Sequence, residues 1–294
     1  MEMKRIISIM IAVVAMLAGA AGCQTRYTTY EGPEYIGFAD SVFVCPVQSE
    51  GGAYSITVAS TRPSDHDRTF GVEVVGMKSK AVYGYHYRLE SQTAVIPAGE
   101  LTARINILGD YDRMSFDEPL QITLRIVADE KLLREEFNPE TRIELRKVCP
   151  FDIHNFTGYC LVASDFIYEF GISFYGDRLT RCEVADAEKN LLRIKNFLYD
   201  GYDLMVRFDT DDPLNRRMYL DGEQMIADTR DAFYVPYGDS RLLCSDYNAA
   251  YNTLETCRRK AALNLRIRVD EVGLVGIYYT TFEWMTDEEA ENFM

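Results

Sequence analysis

The sequence predicts an all-β protein in two parts, an N-terminal antiparallel β-sandwich followed by a β-meander or small barrel. Three observations carry this. Short apolar runs alternate with polar residues at period two, with no long run at helical spacing. Turn residues (Gly, Pro, Asn, Asp and Ser) separate the runs at short intervals. Tyr and Phe, which favour strands, number 20 and 15 against a single Trp, Trp284.

The segment from Met1 to Gly22 stands apart from this pattern. Lys4 and Arg5 precede an uncharged run from Ile6 to Ala18, and Gly19, Ala20, Ala21 and Gly22 lead to Cys23. Such an order is that of an export signal with a small-residue cleavage site. The run is short for a membrane span, which needs about 20 apolar residues. Ala20-Ala21-Gly22-Cys23 resembles the lipobox of bacterial lipoproteins, with Ala20 where that family most often has Leu. The resemblance implies a diacylglyceryl group on the Cys23 thiol, cleavage before Cys23 and an acylated (palmitate-type) new amine. The competing reading is an ordinary secretory signal with a chance cysteine. Each buried acyl methylene contributes about 0.8 kcal/mol, so two or three chains anchor stably where one does so marginally.

Removal of the signal leaves 23–294, long enough for one large or two ordinary domains. A hydrophobic content of 47% supplies a core. The whole chain carries −15; the signal holds Glu2, Lys4 and Arg5, a net of +1, so the mature chain carries −16. That charge argues against nucleic acid and against adhesion to an anionic bilayer through the protein surface. The expected membrane partner is therefore the lipid at Cys23 alone, in the outer membrane. Gln24-Thr25-Arg26 is not the acidic run that sends some such lipoproteins to the cell surface, so the periplasmic and surface faces both stay open.

Residues 23–34 read as a tether, polar and containing Gly32-Pro33. Strands of the first domain, residues 35–149, are expected at 41–47, 53–58, 70–75, 93–96, 102–107, 120–127 and 141–148. The clearest is Leu120 to Val127, with Leu120, Ile122, Leu124 and Ile126 on one face and Gln121, Thr123 and Arg125 on the other. Residues 128–137 read as a helical turn or a charged hairpin loop. The run Lys80 to Tyr87, then Ile96-Pro97-Ala98-Gly99-Glu100, then an alternating strand to Ile107 and Gly109-Asp110-Tyr111-Asp112, resembles the Calx-beta-like domains of many Bacteroidetes lipoproteins. It spans roughly Tyr54 to Val127. His86 stands where that family often has Asp, which argues against a family-type Ca²⁺ site and makes His86 a packed or hydrogen-bonded structural residue.

Cys149-Pro150 breaks the strand pattern and marks the boundary. Residues 150–294 predict strands at 159–163, 166–175, 181–184, 191–197, 204–208, 218–220, 224–226, 263–269 and 275–284. Asp200-Gly201 and Asp221-Gly222 are expected hairpin turns. The style is similar to the calycin-like C-terminal domains of Bacteroidetes lipoproteins. Ser245 to Thr256 looks like an insertion, with Tyr247, Tyr251 and Leu254 at helical spacing. Thr286-Asp287-Glu288-Glu289 is a capping-box signal for a short terminal helix.

Six cysteines follow Cys23, an even number in an export compartment that permits disulfides. Cys244 and Cys257 flank one loop-like stretch and are the expected bridge; six separate small core residues is the alternative. No Cys/His cluster suggests zinc, and His66, His86 and His154 are far apart. Asp209, Asp211 and Asp212 fail the EF-hand spacing, with Leu214 and Leu220 where Gly and Glu are needed. They read as a hairpin tip, and Asp65-His66-Asp67 and Asp110-Tyr111-Asp112 as turns. Tyr83, Tyr85 and Tyr87, and Tyr278, Tyr279 and Phe282, are candidate platforms, although strand alternation sends half of each set inward. No GxSxG, HExxH, P-loop or GxGxxG motif occurs. The expectation is a non-enzymatic, membrane-anchored binding or accessory lipoprotein without cofactor or metal, serving glycan or nutrient uptake with outer-membrane uptake proteins. An adhesin or fimbria-like subunit is the first alternative. A glycoside hydrolase with an unrecognised carboxylate pair is the second.

Overall fold

Period-two alternation builds nearly the whole chain. The computed structural model describes residues 30–293. The expected signal, Cys23 and residues 24–29 of the tether lie outside the described residues.

The first domain holds β1 (Ile36–Phe38), β2 (Val42–Gln48), β3 (Ala53–Ser60), β4 (Arg68–Val74), β5 (Tyr87–Leu89), β6 (Thr93–Ile96), β7 (Thr102–Gly109), β8 (Leu120–Val127) and β9 (Glu140–Val148). They form two sheets, β1-β3-β7-β5 and β2-β9-β8-β4-β6. Ile56, Ile105 and Ile107 from one sheet and Ile122, Leu124, Ile143 and Leu145 from the other are fully buried in one core. Thr123, assigned by alternation to solvent, is buried as well, because the segment around Lys78 covers it and Lys78 O accepts its hydroxyl at 3.1 Å. The sandwich departs from the expected antiparallel order in one ladder. β2 and β9 run parallel, from Val42 beside Arg142 to Gln48 beside Val148. A connection that crosses both sheets between them makes this possible. Pro46 is tolerated because β2 is an edge strand.

The second domain runs β10 (Gly158–Ser164), α1 (Asp165–Glu169), β11 (Asp177–Asp186), β12 (Leu191–Lys195), β13 (Leu204–Asp209), β14 (Arg217–Leu220), β15 (Gln224–Asp228), α2 (Thr229–Phe233), β16 (Arg241–Asp246), β17 (Thr253–Glu255), β18 (Lys260–Val269), β19 (Gly273–Met285) and α3 (Asp287–Glu291). All its ladders are antiparallel, and the last strand, β19, pairs with the first, β10. The sheet therefore curls round into a barrel. Leu192, Ile194, Leu204, Val206, Phe282 and Trp284 fill the interior, each 1% exposed or less.

Three expectations for this domain are corrected. Phe166 to Tyr175 is not a strand: it forms α1 and a loop. Ser164 caps the helix by accepting from the Phe166 amide at 3.3 Å, and Phe166 and Ile167 are buried. Asp221-Gly222 makes a turn but no hairpin. β14 pairs with β13 and β15 pairs with β16, so the two run in the same direction as one interrupted strand that changes partner halfway. Residues 245–256 form no helix of any length, but one 3-10 turn and β17, which pairs on β18 below β16. With those two interruptions the ten strands of the sheet make an eight-lane barrel. The terminal helix carries both halves of its capping box, Thr286 with Glu289.

The expected bridge Cys244–Cys257 is also corrected. Cys257 is bonded to Cys149. Cys244 lies mid-strand opposite Ile267 with its side chain fully inside the barrel, while Cys257 sits in the turn before β18, at the barrel end facing the sandwich. Cys45, Cys160, Cys182 and Cys244 are buried free thiols. Around the bridge, Cys149 O accepts from Arg216 Nη1 at 2.5 Å and from Thr256 Oγ1 at 2.9 Å. Arg258 pairs with Asp117 and lies 5.6 Å from the Phe116 ring centroid.

Candidate aromatic rim

Strand direction decides which loops meet. β10 starts beside the junction with the sandwich and ends at Ser164, so α1 and residues 170–176 cap the opposite end of the barrel. By the ladder registers, residues 196–203, α2 with residues 234–240, and the β18–β19 turn at 270–272 lie at that same end.

This rim carries large apolar side chains in solvent. Tyr168 is 67% exposed, Phe174 83%, Tyr175 84% and Tyr234 85%, with Tyr237 and Val272 exposed beside them. Ring contacts beneath them tie the loops together. Phe170 from the first loop meets Phe233 of α2 at 5.2 Å, Phe233 meets Tyr237 at 5.9 Å, and Phe166 packs edge-on against Tyr278 at 5.0 Å. Thr229, wholly buried, accepts from the Tyr237 amide at 3.0 Å. Tyr202 accepts from the Asp228 amide and contacts Asp231. The exposed rings thus stand on an ordered base.

Tyr234 closes α2 in the left-handed conformation, φ 63°. Glycine is usual there, and a tyrosine costs of order 1 kcal/mol or more. The ring held outward by that backbone is almost fully in water. Burial pushes the Tyr199 phenol up to about 12, helped by Tyr234 and Asp231 nearby, and Tyr278 up to about 12, helped by Glu169. Both phenols stay protonated at physiological pH, and both lie beneath the exposed rings: the Tyr199 hydroxyl is buried and Tyr278 is held by Glu169. The arrangement offers exposed flat rings with carboxylates such as Asp231 and Asp200 among the same loops.

Of the residues singled out in the sequence only Tyr278 reaches the rim, as part of its buried base. Tyr278 and Phe282 face the barrel core and Tyr279 faces solvent, as alternation requires. Tyr83 and Tyr85 are about half exposed, and Tyr87 is buried, at the junction end of the sandwich. Asp110 and Asp112 lie near that end too, while Asp65 and Asp67 belong to the turn at the other end, so the two acidic turns do not converge. Asp67 accepts from the Ala98 amide, and Asp209 and Asp212 accept from the Asp211 and Leu214 amides within their own turn. His86 Nδ1 accepts from the Val82 amide at 2.9 Å and closes a turn. His66 and His154 each contact a neighbouring carboxylate, Asp65 and Asp152. Among the described residues no group of three His, Cys, Asp or Glu side chains is placed to hold a metal ion. Asp246 is a carboxylate pushed up by burial, yet both its oxygens are used inside the barrel wall, by Leu220 N and Asn252 Nδ2 at 2.8 Å each. It faces no cleft. The sequence pattern hides the rim, because Phe174-Tyr175 reads as strand; the flanking Gly171 and Gly176, both at positive φ, are the available signal for a loop.

Residues 137–294 match a sequence family described as a domain of unknown function, DUF4984. The matched stretch takes in β9 and the whole barrel. Among solved structures, a protein of unknown function from Bacteroides ovatus is similar at 10% identity and TM-score 0.34, over 84% of this chain and 89% of that one. The apo form of the Calx CBD1 domain is similar at 13% identity and TM-score 0.28, over 39% of this chain and 96% of that domain. A candidate carbohydrate-binding protein of Bacteroides ovatus is similar at 10% identity and TM-score 0.30, over 83% of this chain and 74% of that one. None of these likenesses bears on what this chain binds. No curated protein matches the chain.

Proposed function

The chain belongs to the DUF4984 family, a domain of unknown function, and from that premise we propose that it is a non-catalytic, exported lipoprotein that binds neutral glycans through the aromatic rim of its barrel. The observation that carries this is the set of four rings at the rim exposed by two thirds or more, Tyr168, Phe174, Tyr175 and Tyr234. Large apolar side chains left exposed together at one end of a domain mark a binding surface. Sugar rings present C–H faces that stack on aromatic faces and hydroxyls that pair with carboxylates and phenols. The mature chain's −16 charge disfavours anionic ligands. In this reading the chain is anchored in the outer membrane through Cys23 and serves as an accessory to glycan or nutrient uptake.

The test is glycan-array binding of the mature chain, with turnover assayed on every hit. Binding without turnover, lost in the triple variant Phe174→Ala, Tyr175→Ala, Tyr234→Ala, is the expected result. Those side chains bury little, so thermal unfolding of the triple variant should stay close to wild type. Turnover on a bound glycan would replace this reading with a hydrolase. Absence of binding, with concentration-dependent polymers in solution, would replace it with an adhesin subunit.

A further inference from the structure

The chain enters the fold at one pole, and the rim stands at the other. Residues 32–35 are strapped to the end of the sandwich farthest from the barrel. Arg68, 7% exposed, pairs with Glu34 at 2.5 Å and donates to Ser60 Oγ, Arg62 O and Glu100 O within 2.8 Å. The Tyr35 amide donates to Thr61 Oγ1, Arg62 donates to Gly32 O, and the Tyr35 ring stacks on Phe137 at 5.0 Å. β1 then pairs its Ile36 with Ser60, the last residue of β3. β3 begins, and β9 ends, at the opposite end of the sandwich, because β2 runs parallel to β9 and delivers the chain there. That end meets the barrel through Cys149–Cys257, Arg216 and Arg258. β18 leaves the same junction at Lys260 and reaches the rim at Val269.

We infer that the rim is the pole of the molecule opposite the anchor, so that in the membrane-bound protein it is held away from the bilayer and takes an extended glycan polymer in solution, not a lipid-borne headgroup. This rests on the proposed reading, with the rim as the glycan site and Cys23 as the lipid anchor. The nine residues of β9 and the ten of β18 set the scale. At about 3.3 Å per residue, and shortened by barrel tilt, they place rim and entry roughly 45–55 Å apart. The Glu34 strap fixes where the tether leaves the sandwich, and Cys149–Cys257 with the Arg216 and Arg258 contacts ties the barrel to the sandwich's other end. Attachment at the entry pole therefore favours a rim directed away from the bilayer surface.

Two exposed turn residues outside the rings test this. Asp65 marks the entry pole and Asp200 the rim pole, with side chains 95% and 90% exposed. In the lipidated Asp65→Cys/Asp200→Cys chain, with Cys23 acylated, only the introduced thiols should label, because the free cysteines among the described residues are buried. On the same strand-rise arithmetic, spin-label distances of roughly 50 Å are expected. A distribution below about 30 Å, little more than the length of one strand, would overturn the inference. A second measurement uses the full lipidated chain in vesicles with nitroxide-headgroup lipids. A fluorophore at Asp65→Cys should be quenched well above one at Asp200→Cys. Equal quenching, or the reverse, would overturn it. Neither readout needs a glycan, so loss of the glycan reading on the array would leave the polar geometry measured independently. Wild-type binding to a soluble polymer, undiminished when the chain sits in vesicles, supports the chosen ligand class. Binding that appears only when the glycan is carried on a lipid overturns it.

Discussion

Single residues show how burial overrides local chemistry. Cys244 and Cys257 lie close in sequence, but an inward mid-strand thiol cannot reach a turn at the barrel's end. Non-reducing peptide mapping is therefore expected to find Cys149 joined to Cys257 and Cys244 free. Thiol reagents should reach Cys45, Cys160, Cys182 and Cys244 only after denaturation, since burial pushes the thiols of Cys45, Cys160 and Cys244 up, Cys45 to about 12. Trp284 makes a second case. It packs edge-on to Phe156 at 5.0 Å, close to Phe208 and Phe282, and its indole N–H has no partner. Trp284→Ala should cost about 3–5 kcal/mol, measured by denaturant unfolding. Trp284→Phe should cost much less, because it gives up no hydrogen bond. Native emission from this sole Trp should be blue-shifted and move red on unfolding of the barrel.

Among the elements, the interrupted strand β14–β15 is the weak line of the barrel. Side chains seal it where backbone pairing fails. The Gln224 amide both donates to and accepts from Met205, each at 2.7 Å, in place of a strand residue. Asp246 holds the Leu220 amide and Asn252, which is 2% exposed and accepts from the Asn264 amide. Burial raises the Asp246 carboxyl above its ordinary value despite these hydrogen bonds. The sign follows from linkage. Between the ordinary and the raised value, the folded chain keeps a proton that the unfolded chain has released. Asp246 therefore lowers stability as pH rises through that window, and this cost is relieved on acidification. Asp246→Asn removes the titration and aims an N–H at donors, a loss of about 1–3 kcal/mol. The stability gap between wild type and Asp246→Asn should narrow as pH rises from about 4 toward neutrality. A gap that does not change with pH would refute this account of the seam.

For the whole molecule, the bridge between Cys149 and Cys257 closes a separation of 108 residues that contains most of the barrel. Removing it with Cys149→Ser and Cys257→Ser should lower stability by about 2–5 kcal/mol, read by denaturant unfolding. The same variant frees the junction, leaving Arg216, Thr256 and the Arg258–Asp117 pair to hold sandwich to barrel. Limited proteolysis should then cut near Pro150, where wild type resists.

What the sequence determined by itself is local. Alternation over a few residues gave away the strand class, including Leu120 to Val127 and Leu263 to Val269, because pleat geometry is encoded residue by residue. The terminal capping box was legible for the same reason, its four residues being contiguous. What tertiary structure alone decided is which distant pieces meet. The Cys149–Cys257 bond, the change of partner at Gly222 and the parallel β2–β9 ladder all depend on where long connections return the chain, and no local pattern records that. The rim is the sharpest example. Its exposed apolar side chains come from residues near 170, 234 and 272, each set ordinary in its own stretch. They become a surface only because antiparallel strands deliver three loops to one end of a barrel whose interior is already full.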